Sequence, residues 1–201
     1  YYALYANTTG ANNTAVGKRA LDANTTASNN TAVGKDSLTS NTTGTENTAV
    51  GGFALQANTT ANNNTSVGYT ALYTNTTGAN STAVGRAALY TSNGDNNTAV
   101  GQRALYANTT GAMNNAFGSG ALGAVTTGEK NIGIGYLAGA AITDSEDNVA
   151  VGQQALEENS TGNRNVAIGT RALDNNTVSD NVAVGHEALK DSTTGPPTNN
   201  K

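Results

Sequence analysis

Apolar residues are grouped along this chain in very short runs that return at a nearly constant interval. Most runs place two β-branched side chains around a small one and end at a glycine. Leu stands four residues after that glycine in ten of the eleven repeats, with Gly139 as the exception. Repetition at a fixed period predicts stacked structural units. The glycines lie seventeen or sixteen residues apart, at Gly17, Gly34, Gly51, Gly68, Gly85, Gly101, Gly118, Gly135, Gly152, Gly169 and Gly185.

The residues before each glycine predict a short strand. Thr14 and Val16 share one face of such a strand, and Ala15 points to the other face. A unit of about 17 residues is too short for the helix pairs of longer repeats, which need about 33, but it suits one coil of a parallel β-solenoid. We therefore expect an all-β fold of about twelve such coils.

The second half of each unit is open to two interpretations. Residues 18–23 are rich in Ala and Leu, and six residues are too few for periodicity to separate a second strand from one short helical turn. The strand glycine is expected to turn the chain through a positive φ. Asn-Thr-Thr sequences, such as residues 24–26, predict the next corner.

The alanine column of the strands suggests close packing against another surface. One Leu and one Val or Ile per coil bury little apolar area, so a lone solenoid is expected to be marginal. If three chains packed their alanine faces around one axis, both faces of each strand would be covered. This predicts an interlocked homotrimer.

Two strand motifs resemble those of a known family. Residues 148–152 read N-V-A-V-G and residues 165–169 read N-V-A-I-G. They resemble the N-S-V-A-I-G motif in the head repeats of YadA-like trimeric autotransporter adhesins. The longer unit N-T-A-V-G-x-x-A-L-x-x-N-T-T-G is similar to repeats in phage tail fibres. The resemblance covers nearly the whole chain and implies a left-handed parallel β-roll of three chains, displayed outside the cell and used for attachment.

Charge and repeat type divide the chain into four parts. Residues 1–114 form Thr-type repeats, 115–147 an irregular junction, 148–194 Val-type acidic repeats, and 195–201 a linker or cap rich in Pro and Asn. Ten of the fourteen acidic residues lie beyond residue 128. Because the chain begins in the middle of a repeat, we expect it to belong to a longer array.

The sequence offers little material for catalysis or cofactor binding. It has no Cys and a single histidine, His186, which argues against a catalytic triad or a His/Cys metal site. Residues 118–123 match G-x-G-x-x-G, but the repeat leaves no room for a Rossmann unit. Residues 144–147 are acidic without the spacing of a calcium loop. We expect no enzyme activity, cofactor or metal, and the net charge of -4 with no basic stripe argues against nucleic acid.

Three sets of surface residues are candidates for binding or modification. Tyr73, Tyr90 and Tyr106 occupy the same position in successive repeats, with Tyr5 in the first, and are expected to form an aromatic ladder able to hold sugar rings or a partner. Thr pairs such as Thr25 and Thr26 suggest, as a minor alternative, an ice-binding face. The corner asparagines lie in N-x-T sequons and are candidate glycosylation sites: Asn7, Asn24, Asn41, Asn58, Asn75 and Asn108.

The function expected from these features is that of a non-enzymatic extracellular rod, a segment of a trimeric surface adhesin or a phage tail fibre. Its partners would be copies of itself and a host protein or glycan. No apolar stretch approaches the roughly 20 residues of a membrane span. The main alternative is a subunit that polymerises end to end into a surface filament, because exposed ladder edges recruit further strands.

Overall fold

The computed structural model describes residues 1–191, and it is an all-β parallel β-solenoid. Each strand pairs in parallel with its neighbours in chain order and in full register, so that Thr31 lies beside Thr48 and Ala32 beside Ala49. Eleven strands are close to the twelve coils expected. The strands are β1 (Thr14–Val16), β2 (Thr31–Val33), β3 (Thr48–Val50), β4 (Thr65–Val67), β5 (Thr82–Val84), β6 (Thr98–Val100), β7 (Asn115–Phe117), β8 (Ile132–Ile134), β9 (Val149–Val151), β10 (Val166–Ile168) and β11 (Val182–Val184).

The six residues after each strand glycine form what we call the flank segment. It is neither strand nor helix, so both interpretations of residues 18–23 and their equivalents are wrong. The second and fourth residues are left-handed, as at Thr70 (φ 55°) and Leu72 (φ 49°). The Thr70 amide donates to Gly52 O of the preceding coil, and the Leu72 amide donates to Ala88 O of the following one. Hydrogen bonding between coils thus continues where regular structure ends.

The strand glycines allow the coils to approach closely. Their φ angles lie between 131° and 139°, a region that other residues rarely adopt. At Gly51, a Cβ atom would lie 2.5 Å from the carbonyl oxygen of Gly68 in the next coil. The sequence prediction of a positive φ is confirmed, and the contact adds a second reason for glycine at this position.

Adjacent glycines provide a matched test of this constraint. We expect Gly51→Ala to lower the free energy of unfolding by about 3 kcal/mol or more, because strain and a backbone clash combine. Gly52→Ala should change it by less than about 1 kcal/mol, since its Cβ would meet only the Tyr69 ring at 3.4 Å. Denaturant unfolding of both variants measures the difference, and equal losses would contradict the close-approach explanation.

The interior of each coil is filled by alanine and leucine of the same chain. Ala32, Ala49 and their equivalents in later coils are buried beside the Leu column of the flank segments, and Ala15 in the first coil is partly buried. At Gly133, the one glycine in the alanine column, a Cβ would lie 2.8 Å from Leu122 Cγ. The proposed packing of alanine faces between three chains is therefore wrong: these side chains are small because the coil is narrow. The outward face carries the Thr and Val columns instead.

A buried ladder of asparagines runs along the Asn-Thr-Thr corner. Nδ2 of Asn41 donates to Gly44 O within its own corner (2.9 Å) and to Oδ1 of Asn24 (3.2 Å) in the preceding coil. Nδ2 of Asn58 donates in turn to Oδ1 of Asn41 at 2.8 Å. From Asn7 to Asn75, each corner amide bonds to its equivalent in the next coil because that coil carries the same residue in the same place.

A second asparagine ladder lies immediately before the strands. Oδ1 of Asn30 accepts the backbone N–H of Asn47 (2.9 Å), and Nδ2 of Asn30 donates to Gly44 O (2.8 Å). Both side chains are fully buried. These amides stabilise the turn that leads into each strand and fix its height relative to the next coil.

Replacing a corner amide with a carboxyl should make stability depend on pH. In Asn41→Asp, the ionised carboxylate has neither of the two donor hydrogens of the Asn amide, and it is buried. We therefore expect the free energy of unfolding to fall by about 3 to 5 kcal/mol at neutral pH. Burial raises the pKa of such a carboxyl. Stability is then highest below the unfolded pKa of about 3.9 and is lost as pH rises through the higher folded value.

The matched control for that experiment is Asn62→Asp. Oδ1 of Asn62 only accepts, from the Thr45 amide (2.7 Å) and hydroxyl (3.1 Å), and Asp95 fills a comparable acceptor role toward Ala79 N elsewhere. Urea unfolding at pH 3 and pH 7 should show a strong pH dependence for Asn41→Asp only. A similar pH dependence in both variants would argue against the buried ladder as its cause.

The two sixteen-residue repeats lose one residue at the Thr-Thr corner without breaking the rod. In a full coil, Thr25 O accepts the amides of Thr8 and Thr9. In the first shortened coil, Oδ1 of Asn93 accepts instead from the Thr76 amide (2.8 Å) and the Thr77 amide (3.3 Å). A side-chain oxygen therefore replaces the backbone carbonyl, and the strands stay in register.

The irregular stretch 115–147 continues the sheet through β7 and β8. Its off-pattern apolar residues, Val125 and Ile142, replace two corner asparagines and are fully buried. Because Val125 cannot donate, Oδ1 of Asn108 is left without a partner. The predicted linker at 195–201 lies outside the described residues, and residues 1–191 contain no helix of the length and apolarity that a bilayer span requires.

Candidate functional site: an aromatic and cationic flank

The three tyrosines predicted to form a ladder do stack. The Tyr73 and Tyr90 ring centroids are 5.1 Å apart with planes 14° from parallel, and those of Tyr90 and Tyr106 are 5.3 Å apart at 19°. Full coil register imposes this geometry, because each Tyr is the fifth residue after a strand glycine. Tyr5 lies outside the ladder and instead packs edge-on against Tyr2 at 5.2 Å.

Further aromatic residues extend the ladder toward the N-terminal coils. The Phe53 ring meets Tyr69 edge-on at 5.8 Å and Tyr73 at 6.5 Å. The Lys35 ammonium lies 5.0 Å from the centre of the Phe53 ring. Since the stacked tyrosines cover much of each other's faces, the ladder presents mainly ring edges and hydroxyls to solvent.

Two arginines supply positive charge to the same flank. The guanidinium carbon of Arg103 lies 4.5 Å from the centre of the Tyr106 ring, a cation–π distance. Arg86 is exposed one coil earlier. Neither forms an ion pair with a carboxylate in residues 1–191.

Acidic residues are excluded from the central part of the flank. The flank segments that follow β3 to β8 contain no Asp or Glu, whereas each segment after β1, β2, β9, β10 and β11 contains at least one. The central six segments therefore carry two arginines and no negative charge. This stretch is what we call the central flank, residues 52–57, 69–74, 86–91, 102–107, 119–124 and 136–141.

Open hollows follow one another along the central flank. The first, of about 190 Å³, lies among Phe53, Tyr69, Tyr73 and Tyr90. The second, of about 400 Å³, shares Tyr69 and Tyr90 with it and adds both arginines. The third, of about 440 Å³, shares Arg103 and Tyr106 with the second and extends to Tyr136. Together they form a shallow groove along the rod.

The pKa of Tyr90, the middle tyrosine of the ladder, is raised above its ordinary value. Burial raises the pKa of Tyr90, and charge on Tyr73, Tyr106 and Tyr69 would raise it further. The neutral phenol is therefore favoured in the folded chain. A raised folded pKa means that the corresponding stability is present below the unfolded pKa of about 10 and is lost as pH rises through the folded value.

This shift predicts a specific alkaline response. Above about pH 10, wild-type protein should lose stability relative to Tyr90→Phe, which has no proton to release. The difference in tyrosinate absorbance between the two proteins should titrate above the ordinary range for tyrosine. A normal titration for Tyr90 would show that the ladder does not shield its hydroxyl.

The candidate glycosylation sites lie in the buried corner ladder. Asn24, Asn41, Asn58, Asn75 and Asn108 are at most 1% exposed, and Asn7 is half-buried. Their Nδ2 atoms, where a glycan would be attached, donate hydrogen bonds instead, all of them to the carbonyl three residues on. The folded coil gives a sugar no access to the five buried amides.

In the Thr pairs of the corner, one hydroxyl usually bonds to the next coil and the other Thr is exposed. The first hydroxyl of a pair usually donates to the next coil, as Thr42 does to Thr59 O at 3.0 Å. The second Thr, such as Thr43, is exposed. The ice-binding alternative would therefore have one free Thr column at this corner rather than two.

The other candidates for chemistry remain dispersed on the surface. His186 is exposed, as are Asp144, Glu146 and Asp147. Within residues 1–191, no three His, Asp or Glu side chains are grouped closely enough to hold a metal ion.

Comparisons of the chain with protein-family models, with curated proteins and with solved structures returned no match. Its function therefore has to be argued from its own geometry.

Sequence reasoning identified the tyrosine ladder but missed the groove around it. The groove residues outside the ladder lie at the first or second position of their flank segments, and they follow no visible pattern when the chain is read in order. They are Phe53, Tyr69, Arg86, Arg103 and Tyr136. Aligning the repeats on their strand glycines places these residues in neighbouring columns and also reveals the absence of acidic residues. That alignment is the signal that could have found them.

Proposed function

We propose that this chain is a non-enzymatic structural and adhesive rod, a repeat segment of an extracellular adhesin or a phage tail fibre. The observation that carries the proposal is the unbroken register of eleven coils. Backbone pairing links every coil to the next, and buried asparagines reinforce most of these steps. This arrangement is suited to holding a surface at a fixed distance and poorly suited to the motions of most enzymes.

The outward face of the sheet supports self-association of such rods. Its outer column consists of Val, Ile and Phe, with Val50 and Val67 37% exposed and Ile134 42% exposed. This column runs along the whole sheet and is exposed or half-buried at every position. A continuous apolar stripe that reaches the surface is typical of an interface. A partner must share the coil spacing to contact every position, and other copies of this chain have that spacing. The proposed homotrimer therefore buries the Thr and Val columns.

Light scattering across a concentration series tests the assembly. A trimer has a mass of about 60 kDa, three times the 20.1 kDa chain, at every concentration. The paired change Val67→Lys and Val100→Lys should reduce the mass to that of one chain, because charges on the apolar stripe would be buried in the trimer. Thr60→Lys, at an exposed corner, should leave the trimer intact.

Other masses would discriminate among the alternatives. A monomer of the wild-type chain would contradict the homotrimer. A mass that grows with concentration would favour the filament subunit, in which strands add to open ladder edges.

A further inference from the structure

The flank has one coil with almost no outward side chains. Between residues 119 and 124, nothing larger than Ser119 points outward, and Leu122 is buried in the core. Gly123 takes the position that tyrosine occupies in the three preceding coils. The neighbouring coils carry larger side chains, with Tyr106 at the fifth position of the coil before, and Tyr136 and Leu137 at the first and second positions of the coil after. This gap is the third hollow of the groove, which we call the slot.

The slot has the dimensions of a single ring. Coils stack about 4.8 Å apart, so the coils on either side of the slot are about 9 to 10 Å apart. A ring in van der Waals contact on both sides needs about 7 to 8 Å. The slot volume of about 440 Å³ falls within the range of small-ligand pockets. A six-membered ring can therefore enter the slot, between the coils that carry Tyr106 and Ala140 at the fifth flank position. The tyrosine ladder itself ends at Tyr106, whose ring is already contacted by Tyr90 and by the Arg103 guanidinium.

The slot lining combines apolar surface with polar groups at its edge. Gly123, Ala140 and the Leu137 side chain line the floor. Leu137 lies so close over Gly120 that its Cδ2 would be 2.6 Å from a Cβ there. Gln102 and Ser119 lie at the rim and can bond to hydroxyls. Tyr136, 53% exposed, provides an aromatic surface on the far side. This combination suits a pyranose, which has apolar C–H faces and a rim of hydroxyl groups.

The positive charge of the groove favours sugars that carry a negative charge. Arg103 lines both the slot and the second hollow, and Arg86 lines the second hollow one coil away. The planar guanidinium matches a carboxylate in a two-bond arrangement. With no acidic residue on the central flank, an anionic ligand meets no repulsion there.

We infer that the slot and the adjoining groove bind an acidic polysaccharide, with one pyranose ring seated in the slot over Gly123 and a carboxylate held by Arg103. The inference rests on the proposed attachment role and names its ligand class. The polymer continues along the tyrosine hydroxyls toward Arg86. A nucleic acid fits less well, because it carries a charge on every nucleotide and needs more than two cations and open ring faces.

The test uses the whole chain and ligands that differ in charge. Isothermal titration compares polygalacturonate, alginate and hyaluronate with methyl-esterified polygalacturonate, which has the same backbone without the charge, and with single-stranded poly(dT). We expect at least one acidic polymer to bind about tenfold or more tightly than the ester, since hydrogen bonds to charged groups are the stronger ones.

Three variants locate the binding. Arg103→Gln should abolish the preference for the acid over the ester. Gly123→Tyr continues the tyrosine column into the slot and should prevent binding. Because its Cβ would lie 3.0 Å from Gly120 O, circular dichroism and thermal unfolding are measured first to establish that the variant is folded. Lys130→Gln removes the same charge at an exposed position before β8 and should bind like wild type.

Several results would overturn the inference. These are no binding of any acidic polymer, equal binding of acid and ester, tighter binding of poly(dT), or wild-type binding by a folded Gly123→Tyr variant. The mass measured by light scattering does not depend on the slot. A trimer that ignores acidic polymers would therefore refute the ligand class alone, whereas a monomer that binds them would refute the assembly alone.

Discussion

Every coil of this solenoid has to repeat the backbone path of its neighbour, because the strand glycines bring successive coils too close for a Cβ atom. At Gly34 and Gly51 the backbone of the next coil occupies that space. Once one column is this tight, the strands must lie in full register, and the side chains of the strands and flank segments must lie above their equivalents. The ladders of tyrosine, asparagine and leucine are consequences of that constraint.

Stacking also explains how a chain with so few large apolar residues forms a core. The buried asparagines satisfy each other from coil to coil, so polar side chains fill space that leucine and valine fill in ordinary domains. Their hydrogen bonds accompany the left-handed conformations of Leu55 and Leu72, which are costly for such residues in isolation. Where the pattern changes, as from Asn108 to Val125, one buried oxygen loses its partner.

Because the backbone of the rod is regular, differences between coils in the flank lie mainly in the side chains. On the flank, substitution within a column changes the surface while the backbone stays the same. The step from Tyr106 to Gly123 therefore creates a slot without disturbing β7 or β8. The concentration of aromatic residues and two arginines on six acid-free segments is a property of the columns, and it separates the central flank from both ends of the rod.

The sequence by itself determined the period, the strands, the turning glycines and the stacking of Tyr73, Tyr90 and Tyr106, since each follows from repetition and local side-chain chemistry. Only the tertiary structure decided which face of the strand is inside. Small side chains fit both a narrow coil and an interface between chains. The burial of the alanine column, and the lack of room for a Cβ at Gly133 beside Leu122, resolved the choice in favour of the coil. Likewise, the Asn24 column could be read as exposed corner chemistry until its amides were found hydrogen-bonded and buried. Alternating left-handed turns in the flank could not be predicted, because non-glycine residues adopt them only when neighbouring coils supply the compensating contacts.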